Sequence, residues 1–81
     1  MVKLGASWCQ PCKAMDREID NAVASNPKLE NRVFRVDVDE DPDFALEFNV
    51  MSVPTTLLVS EGRYEMRKGV MNSKEIEEWL S

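Results

Sequence analysis

The stretch Ser-Trp-Cys-Gln-Pro-Cys-Lys, residues 7–13, marks the point where a strand pattern gives way to a helix pattern. Residues 2–6 before it are apolar at all but one position, which is typical of a short buried strand. After Pro11 the apolar side chains recur at intervals of three and four residues, so a helix would present them on one face. These side chains are Cys12, Met15, Ile19, Ala22 and Val23. The stretch therefore predicts a buried strand that turns directly into an amphipathic helix.

The next part of the chain predicts a second strand and a second helix. The first helix is expected to end before Pro27, because a residue that precedes proline is disfavoured in the helical region. Apolar and charged side chains alternate over residues 34–38, as in a strand. Asp41 followed by Pro42 indicates a helix start, with a capping side chain and a proline pre-set for the first turn. The side chains expected on the buried side of this helix are Phe44 and Phe48.

Two strands and a helix complete the predicted order of elements. Residues 55–59 and 63–68 are expected to pair as a hairpin around a turn at residues 61–62. Asn72 and Glu75 lie three residues apart and predict a capping box at the start of the last helix. The side chains that this helix is expected to bury are Ile76, Trp79 and Leu80.

This order predicts one α/β domain over residues 1–81. A βαβ unit followed by a ββα unit gives a mixed four-stranded sheet with helices on both faces. The crossover that joins the first two strands is expected to be right-handed.

Composition and charge exclude several classes of protein. The 81 residues are 43% hydrophobic and 31% charged, as in a globular chain, and the net charge of −5 argues against binding to nucleic acid. No apolar run approaches the ~20 residues that span a bilayer, and no secretory signal precedes the cysteines. We therefore expect a cytoplasmic monomer without a nucleic-acid or membrane partner. In a reducing compartment its cysteines are more often reactive than structural.

Cys9 and Cys12 could bind a metal, staple the fold or exchange electrons. A structural zinc site needs four ligands, and the chain has no histidine and no further cysteine. A purely structural disulfide is disfavoured, since its stabilisation grows with the loop it closes and this loop is minimal. Redox chemistry without a bound metal or cofactor is therefore the favoured interpretation.

The predicted helix start gives the two sulfurs different roles. The free N–H groups of the first turn and the positive end of the helix dipole favour a thiolate on Cys9. Pro11 lacks the N–H that would go unpaired there. Cys12 lies one turn further on the buried side of the helix. We therefore expect Cys9 to be exposed and ionised, with Cys12 behind it.

These residues resemble the active-site run of the thioredoxin family. Residues 6–13, Ala-Ser-Trp-Cys-Gln-Pro-Cys-Lys, are similar to the family's Trp-Cys-Gly-Pro-Cys-Lys, with Gln10 in place of the usual glycine. Residues 52–62, Ser-Val-Pro-Thr-Thr-Leu-Leu-Val-Ser-Glu-Gly, resemble the family's cis-proline segment, strand and hairpin. The resemblance covers nearly the whole chain and implies a thioredoxin-like fold.

The resemblance implies a set of site residues. Cys9 and Cys12 would be catalytic and would form a redox-active disulfide. Pro54 would follow a cis peptide bond and leave the backbone of Val53 free to pair with an extended substrate segment. Met51 is expected near this groove. The residues that would contact the substrate are Trp8, Gln10, Pro11, Val53, Pro54 and Gly69.

The function implied is a thiol–disulfide oxidoreductase that reduces protein disulfides. Cys9 would attack the disulfide of a partner protein, and Cys12 would then release the reduced partner. A thioredoxin reductase-type enzyme would restore the dithiol. The compact length leaves a glutaredoxin-like protein, regenerated by glutathione, as the alternative. A non-enzymatic module that uses the same groove to hold a partner is a third interpretation.

Two departures from the family pattern stand out. The family usually begins with an additional strand and helix, which this sequence lacks. Lys3 stands where typical thioredoxins bury an aspartate beneath the cysteines, and Arg35 stands where they usually have a lysine. Either both cations reach outward to solvent, or they favour thiolates electrostatically.

Overall fold

Four strands form the sheet of this computed structural model, which describes residues 1–80. They are β1 (Val2–Gly5), β2 (Phe34–Asp37), β3 (Thr55–Ser60) and β4 (Arg63–Lys68). Their order across the sheet is β2-β1-β3-β4. Strands β1 and β2 are parallel, whereas β1 with β3 and β3 with β4 are antiparallel. The predicted mixed four-stranded sheet is confirmed.

Helices join these strands within the described part of the chain. They are α1 (Gln10–Ser25), a 3₁₀ helix (Pro27–Arg32), α2 (Pro42–Glu47) and α3 (Ser73–Leu80). Side chains cap the later two α-helices as the sequence predicts. The carboxylate of Asp41 accepts from the backbone N–H of Phe44 at 3.3 Å. Asn72 and Glu75 form a reciprocal capping box, in which each side chain accepts from the other's backbone N–H at 2.9 and 3.3 Å.

Two apolar cores lie on opposite faces of the sheet, because side chains alternate along each strand. On one face α1 and α3 pack together around Met15, Ile19 and Ile76, each 0% exposed. On the other face α2 contributes Ala45 to a cluster with Leu4 of β1 and Leu57 of β3. Helices on both faces are therefore confirmed, and the start of α1 lies at the end of β1 where the two cysteines are found.

The prediction that Trp79 is a core residue is wrong. Its side chain is 38% exposed, whereas Ile76 and Leu80 on the same helix are buried. The guanidinium of Arg67 on β4 lies 5.3 Å from the centre of the indole ring, a cation–π contact. Helix α3 turns the face that carries residues 76 and 80 toward α1, which leaves Trp79 on the flank beside β4.

Candidate active site

Cys9 occupies the N-cap position of α1. Its backbone is extended, with φ −94° and ψ 112°, and its Sγ accepts from the backbone N–H of Cys12 at 3.2 Å. Sulfur therefore takes the place that a serine or aspartate oxygen takes at other helix starts. Pro11 lies in the first turn, where its missing N–H leaves no donor unpaired. This arrangement directs the positive end of the helix onto the sulfur of Cys9.

Cys9 and Cys12 form a disulfide, with their Cα atoms 5.2 Å apart. Cys9 is 5% exposed and Cys12 is 1% exposed. The expectation that Cys9 is exposed is therefore wrong for this oxidised form. Both cysteines form a cluster with Ala6, and Val38 and Val53 pack against it. Cys9 is still the more accessible of the two.

The segment before β3 lies against the sulfur of Cys9. The Val53–Pro54 peptide bond is cis, and the carbonyl oxygen of Val53 lies 3.7 Å from the Sγ of Cys9. A disulfide sulfur carries no proton, so this contact becomes a hydrogen bond only when Cys9 is a thiol. The N–H of Gly69 donates to the carbonyl of Pro54 at 2.9 Å. Gly69 has φ +86°, a conformation that favours glycine.

An open groove of about 360 Å³ runs beside the disulfide. Trp8 and Met51 project at its edge and are 67% and 87% exposed. The indole N–H of Trp8 donates to the carboxylate of Asp39 at 2.8 Å, which holds the ring in place. The residues that line the groove are Trp8, Val38, Ala45, Val50, Met51, Ser52 and Val53.

The residues expected to contact substrate divide into two groups. Trp8 and Val53 line the groove. The others lie outside its lining: Gln10 and Pro11 are exposed on the first turn of α1, Pro54 is buried, and Gly69 is partly buried. The sequence does not predict Asp39 or the apolar wall of the groove, which Ala45 and Val50 form. No local sequence pattern distinguishes these residues.

Lys3 lies inside the protein rather than reaching outward. Its side chain is 7% exposed, and its Nζ is 2.9 Å from Oδ1 of Asp16 on α1. Arg35 is 45% exposed and reaches Asp16 at 3.7 Å and Asp20 at 2.9 Å. The interpretation in which both cations reach outward is therefore wrong for Lys3.

Asp16 is a site residue that the sequence could have indicated. It follows Cys12 by four residues in a predicted helix, so both lie on neighbouring parts of one face. Its side chain carries a negative charge, opposite to the positive charge of Lys3. In this chain the carboxylate on that side of the sheet comes from Asp16 on α1. In typical thioredoxins the aspartate beneath the cysteines lies on the strand, at the position that Lys3 occupies here.

Residues 1–80 contain neither a metal-ligand cluster nor a membrane-spanning helix. No group of three or more His, Cys, Asp or Glu side chains there is arranged to hold a metal ion. None of the helices in that range has the length and apolar character needed to cross a membrane.

The sequence matches the family model for thioredoxin over residues 1–81. The thioredoxin of Rickettsia felis is 28% identical over 82 aligned positions, which cover 100% of this chain and 77% of the relative. Thioredoxin C-3 of Corynebacterium nephridii is 32% identical over 82 positions, covering 99% of this chain and 54% of the relative. This chain therefore spans between about half and three quarters of the length of these two proteins.

Solved structures share the fold. Mitochondrial thioredoxin 3 from Saccharomyces cerevisiae, in its oxidised form, superposes with a TM-score of 0.78 at 31% identity. The superposition covers 98% of this chain and 73% of the yeast protein. The similarity thus extends over all the helices and strands described above.

Proposed function

The chain belongs to the thioredoxin family of thiol–disulfide oxidoreductases, and from this premise we propose that it reduces disulfide bonds in other proteins through Cys9 and Cys12. One observation carries the proposal. The Sγ of Cys9 caps α1 and accepts a backbone N–H at 3.2 Å, an environment that stabilises negative charge on sulfur. The reaction needs no bound cofactor, because the cysteine pair itself carries two electrons.

In the first step the Cys9 thiolate attacks one sulfur of the partner's disulfide. A bond forms between Cys9 and that sulfur, and the partner's own S–S bond breaks. The electron pair leaves on the partner's second sulfur, which takes a proton from water. The partner is then held to Cys9 as a mixed disulfide.

In the second step Cys12 attacks the Sγ of Cys9 as a thiolate. The Cys9–Cys12 bond forms, and the bond from Cys9 to the partner breaks. The partner's sulfur leaves with the electron pair and is protonated. In the product of this step the Cα atoms of the two cysteines are 5.2 Å apart, within the range that a disulfide needs.

The substrate segment would bind over the groove beside the disulfide. The backbone of Val53 would pair with an extended segment of the partner, as an added strand pairs with a sheet edge. Trp8 and Met51 offer exposed apolar surface to side chains on that segment. Gln10 and Pro11 follow Cys9 on the exposed first turn of α1. Gly69 donates its N–H to the carbonyl of Pro54, and a β-carbon built at Gly69 would lie in open space.

Charge near the site favours a protein reductase over glutathione as the electron donor. Residues 37–41 contain four carboxylates, and Asp39 holds the indole that borders the groove. Glutathione carries two carboxylates and one ammonium, and this acidic segment repels its net negative charge. An enzyme of the thioredoxin reductase type can instead present a protein surface to the apolar groove.

Turnover with two electron donors tests this proposal. With NADPH and a thioredoxin reductase, we expect catalytic reduction of insulin disulfides. With glutathione and glutathione reductase, we expect a rate at least about tenfold lower, a barrier difference of about 1.4 kcal/mol. The double variant Cys9→Ser/Cys12→Ser is the control and should be inactive. Faster turnover with glutathione would favour the glutaredoxin-like alternative. Absence of insulin reduction by the unmodified protein, with partner binding retained in the double variant, would favour the binding-module interpretation.

A further inference from the structure

Lys3 is a buried cation without a role in the two reaction steps described above. It lies on β1, with 6% of the residue exposed, and points to the face of the sheet that α1 covers. Burying a lysine is unfavourable unless the charge is paired. Asp16 provides that pairing from α1 at 2.9 Å.

Gly5 shows how near the ammonium lies to Cys12. A β-carbon built at Gly5 would be 2.7 Å from the Nζ of Lys3 and 3.2 Å from the Cβ of Cys12. The ammonium and the Cys12 side chain therefore border the same small space. Because residue 5 is a glycine, nothing from its side chain separates them.

Cys12 needs such a charge more than Cys9 does. Cys12 is 1% exposed, and burial disfavours a thiolate. The helix start cannot compensate for this, since the backbone N–H of Cys12 is directed to the sulfur of Cys9. A nearby cation favours the ionised form of Cys12.

We propose that Lys3 is a positioning residue for the second step, in which its buried ammonium stabilises the attacking thiolate of Cys12. This inference rests on the proposed function. Lys3 keeps its protons throughout and forms no bond. Its effect is to raise the fraction of Cys12 that is ionised at neutral pH.

A cleft of about 410 Å³ opens beside Lys3, and Gly5 and Asp16 are among the residues that line it. The other charged side chains that line it are Lys13, Arg35, Asp37 and Glu40. In the second step Cys12 gives its proton to water, its thiolate attacks the Sγ of Cys9, and the partner's sulfur leaves with the electron pair.

Single-turnover kinetics with Ellman's reagent separate the two steps. Reduced protein in excess attacks the reagent through Cys9 and releases one thionitrobenzoate, at a rate that depends on protein concentration. Cys12 then displaces the second thionitrobenzoate from Cys9, at a rate independent of concentration. Acid quenching and intact-mass measurement follow the mixed disulfide directly.

Lys3→Met is expected to slow the second phase about tenfold at neutral pH, the effect of moving a thiol's ionisation by about one pH unit. The rate of the first phase should change less than about twofold, because the N-terminus of α1 still stabilises the Cys9 thiolate. Without the cation Cys12 ionises at a higher pH. The difference in second-phase rate between Lys3→Met and the unmodified protein should therefore shrink as the pH is raised. A second phase unchanged by the substitution, or slowed equally at every pH, would overturn the inference. Absence of the first phase in the unmodified protein would instead refute the proposed function.

A matched variant tests whether charge at this position is the cause. Lys13→Met removes a lysine that borders the same cleft but is exposed, and both phases should stay within about twofold of the unmodified protein. If Lys13→Met slows the second phase as much as Lys3→Met, the inference is wrong.

Further variants cover the case in which Lys3→Met does not fold. Lys3→Arg keeps the charge and should retain the second phase to within about threefold. Gly5→Ala places a methyl group 2.7 Å from the present position of Nζ, so the ammonium must move away. Its second phase should be slowed, with recovery at high pH. An undiminished second phase in Gly5→Ala would then contradict the inference.

Discussion

Replacing Cys12 with serine is expected to trap partner proteins on Cys9. The first step needs only the Cys9 thiolate at the start of α1, and that cap position is unchanged by the substitution. The second step needs a sulfur at position 12, so the mixed disulfide has no internal route of release. Catalytic turnover should fall by at least about a hundredfold, as expected when a covalent step loses its nucleophile.

Non-reducing electrophoresis and mass spectrometry, after incubation with a disulfide-containing protein, measure the trapped adduct. Cys9→Ser is the matched control, since it removes the attacking sulfur and should give neither adduct nor turnover. Cys12 is 1% exposed and cannot replace Cys9 as the attacking group. Equal adduct formation by the two variants would show that the roles assigned to the cysteines are wrong.

Replacing Ile19 with alanine is expected to give the largest loss of stability. Ile19 is 0% exposed and lies in the core that α1 and α3 share. Truncating a buried isoleucine removes apolar contacts and leaves a cavity, at a cost of about 2–5 kcal/mol. A chain of this size has a total free energy of unfolding of about 4–12 kcal/mol, so the loss is a large part of it.

Urea unfolding of the oxidised protein, with the Cys9–Cys12 bond intact, measures this effect. The midpoint should fall while the slope with denaturant stays the same. Leu46→Ala is the control, because Leu46 is 76% exposed and its loss should change stability by less than about 0.5 kcal/mol. Similar losses for the two variants would mean that the shared core of α1 and α3 is described incorrectly.

Most of the fold follows from local sequence rules. The apolar stripe that contains Met15 and Ile19 predicts α1 and its buried face, and both side chains are 0% exposed. Asp41 and Asn72 cap their helices through the side-chain contacts that the sequence predicts. These features depend on residues three or four apart, so they can be recognised without knowledge of the tertiary structure.

The features that sequence analysis missed depend on contacts between distant segments. Cys9 is buried because Val38 and Val53, far along the chain, pack against its cluster. Helical spacing alone predicts that Trp79 lies in the core, but β4 presents Arg67 to it on the flank of the helix. The amphipathic pattern predicts which face a helix buries, and it does not define where that face ends.

The candidate site shows the same division. The cysteine pair and its place at a helix start could be read from residues 7–13. The inward orientation of the Lys3 side chain could not be read from the sequence. It depends on how β1 packs beneath α1 and on the charge of Asp16. The apolar wall formed by Ala45 and Val50 also depends on tertiary packing, since α2 and the segment after it must come to lie beside Trp8.

The proposed reaction depends on a thiolate that the start of α1 stabilises on Cys9. Iodoacetamide alkylation of the reduced protein at a series of pH values, with mass spectrometry to identify the modified cysteine, measures this stabilisation. We expect Cys9 to react first, with a midpoint below the ~8.5 of a free cysteine, while Cys12 stays largely unmodified. If both cysteines are modified slowly, with the midpoint of a free cysteine, the start of α1 does not stabilise the thiolate.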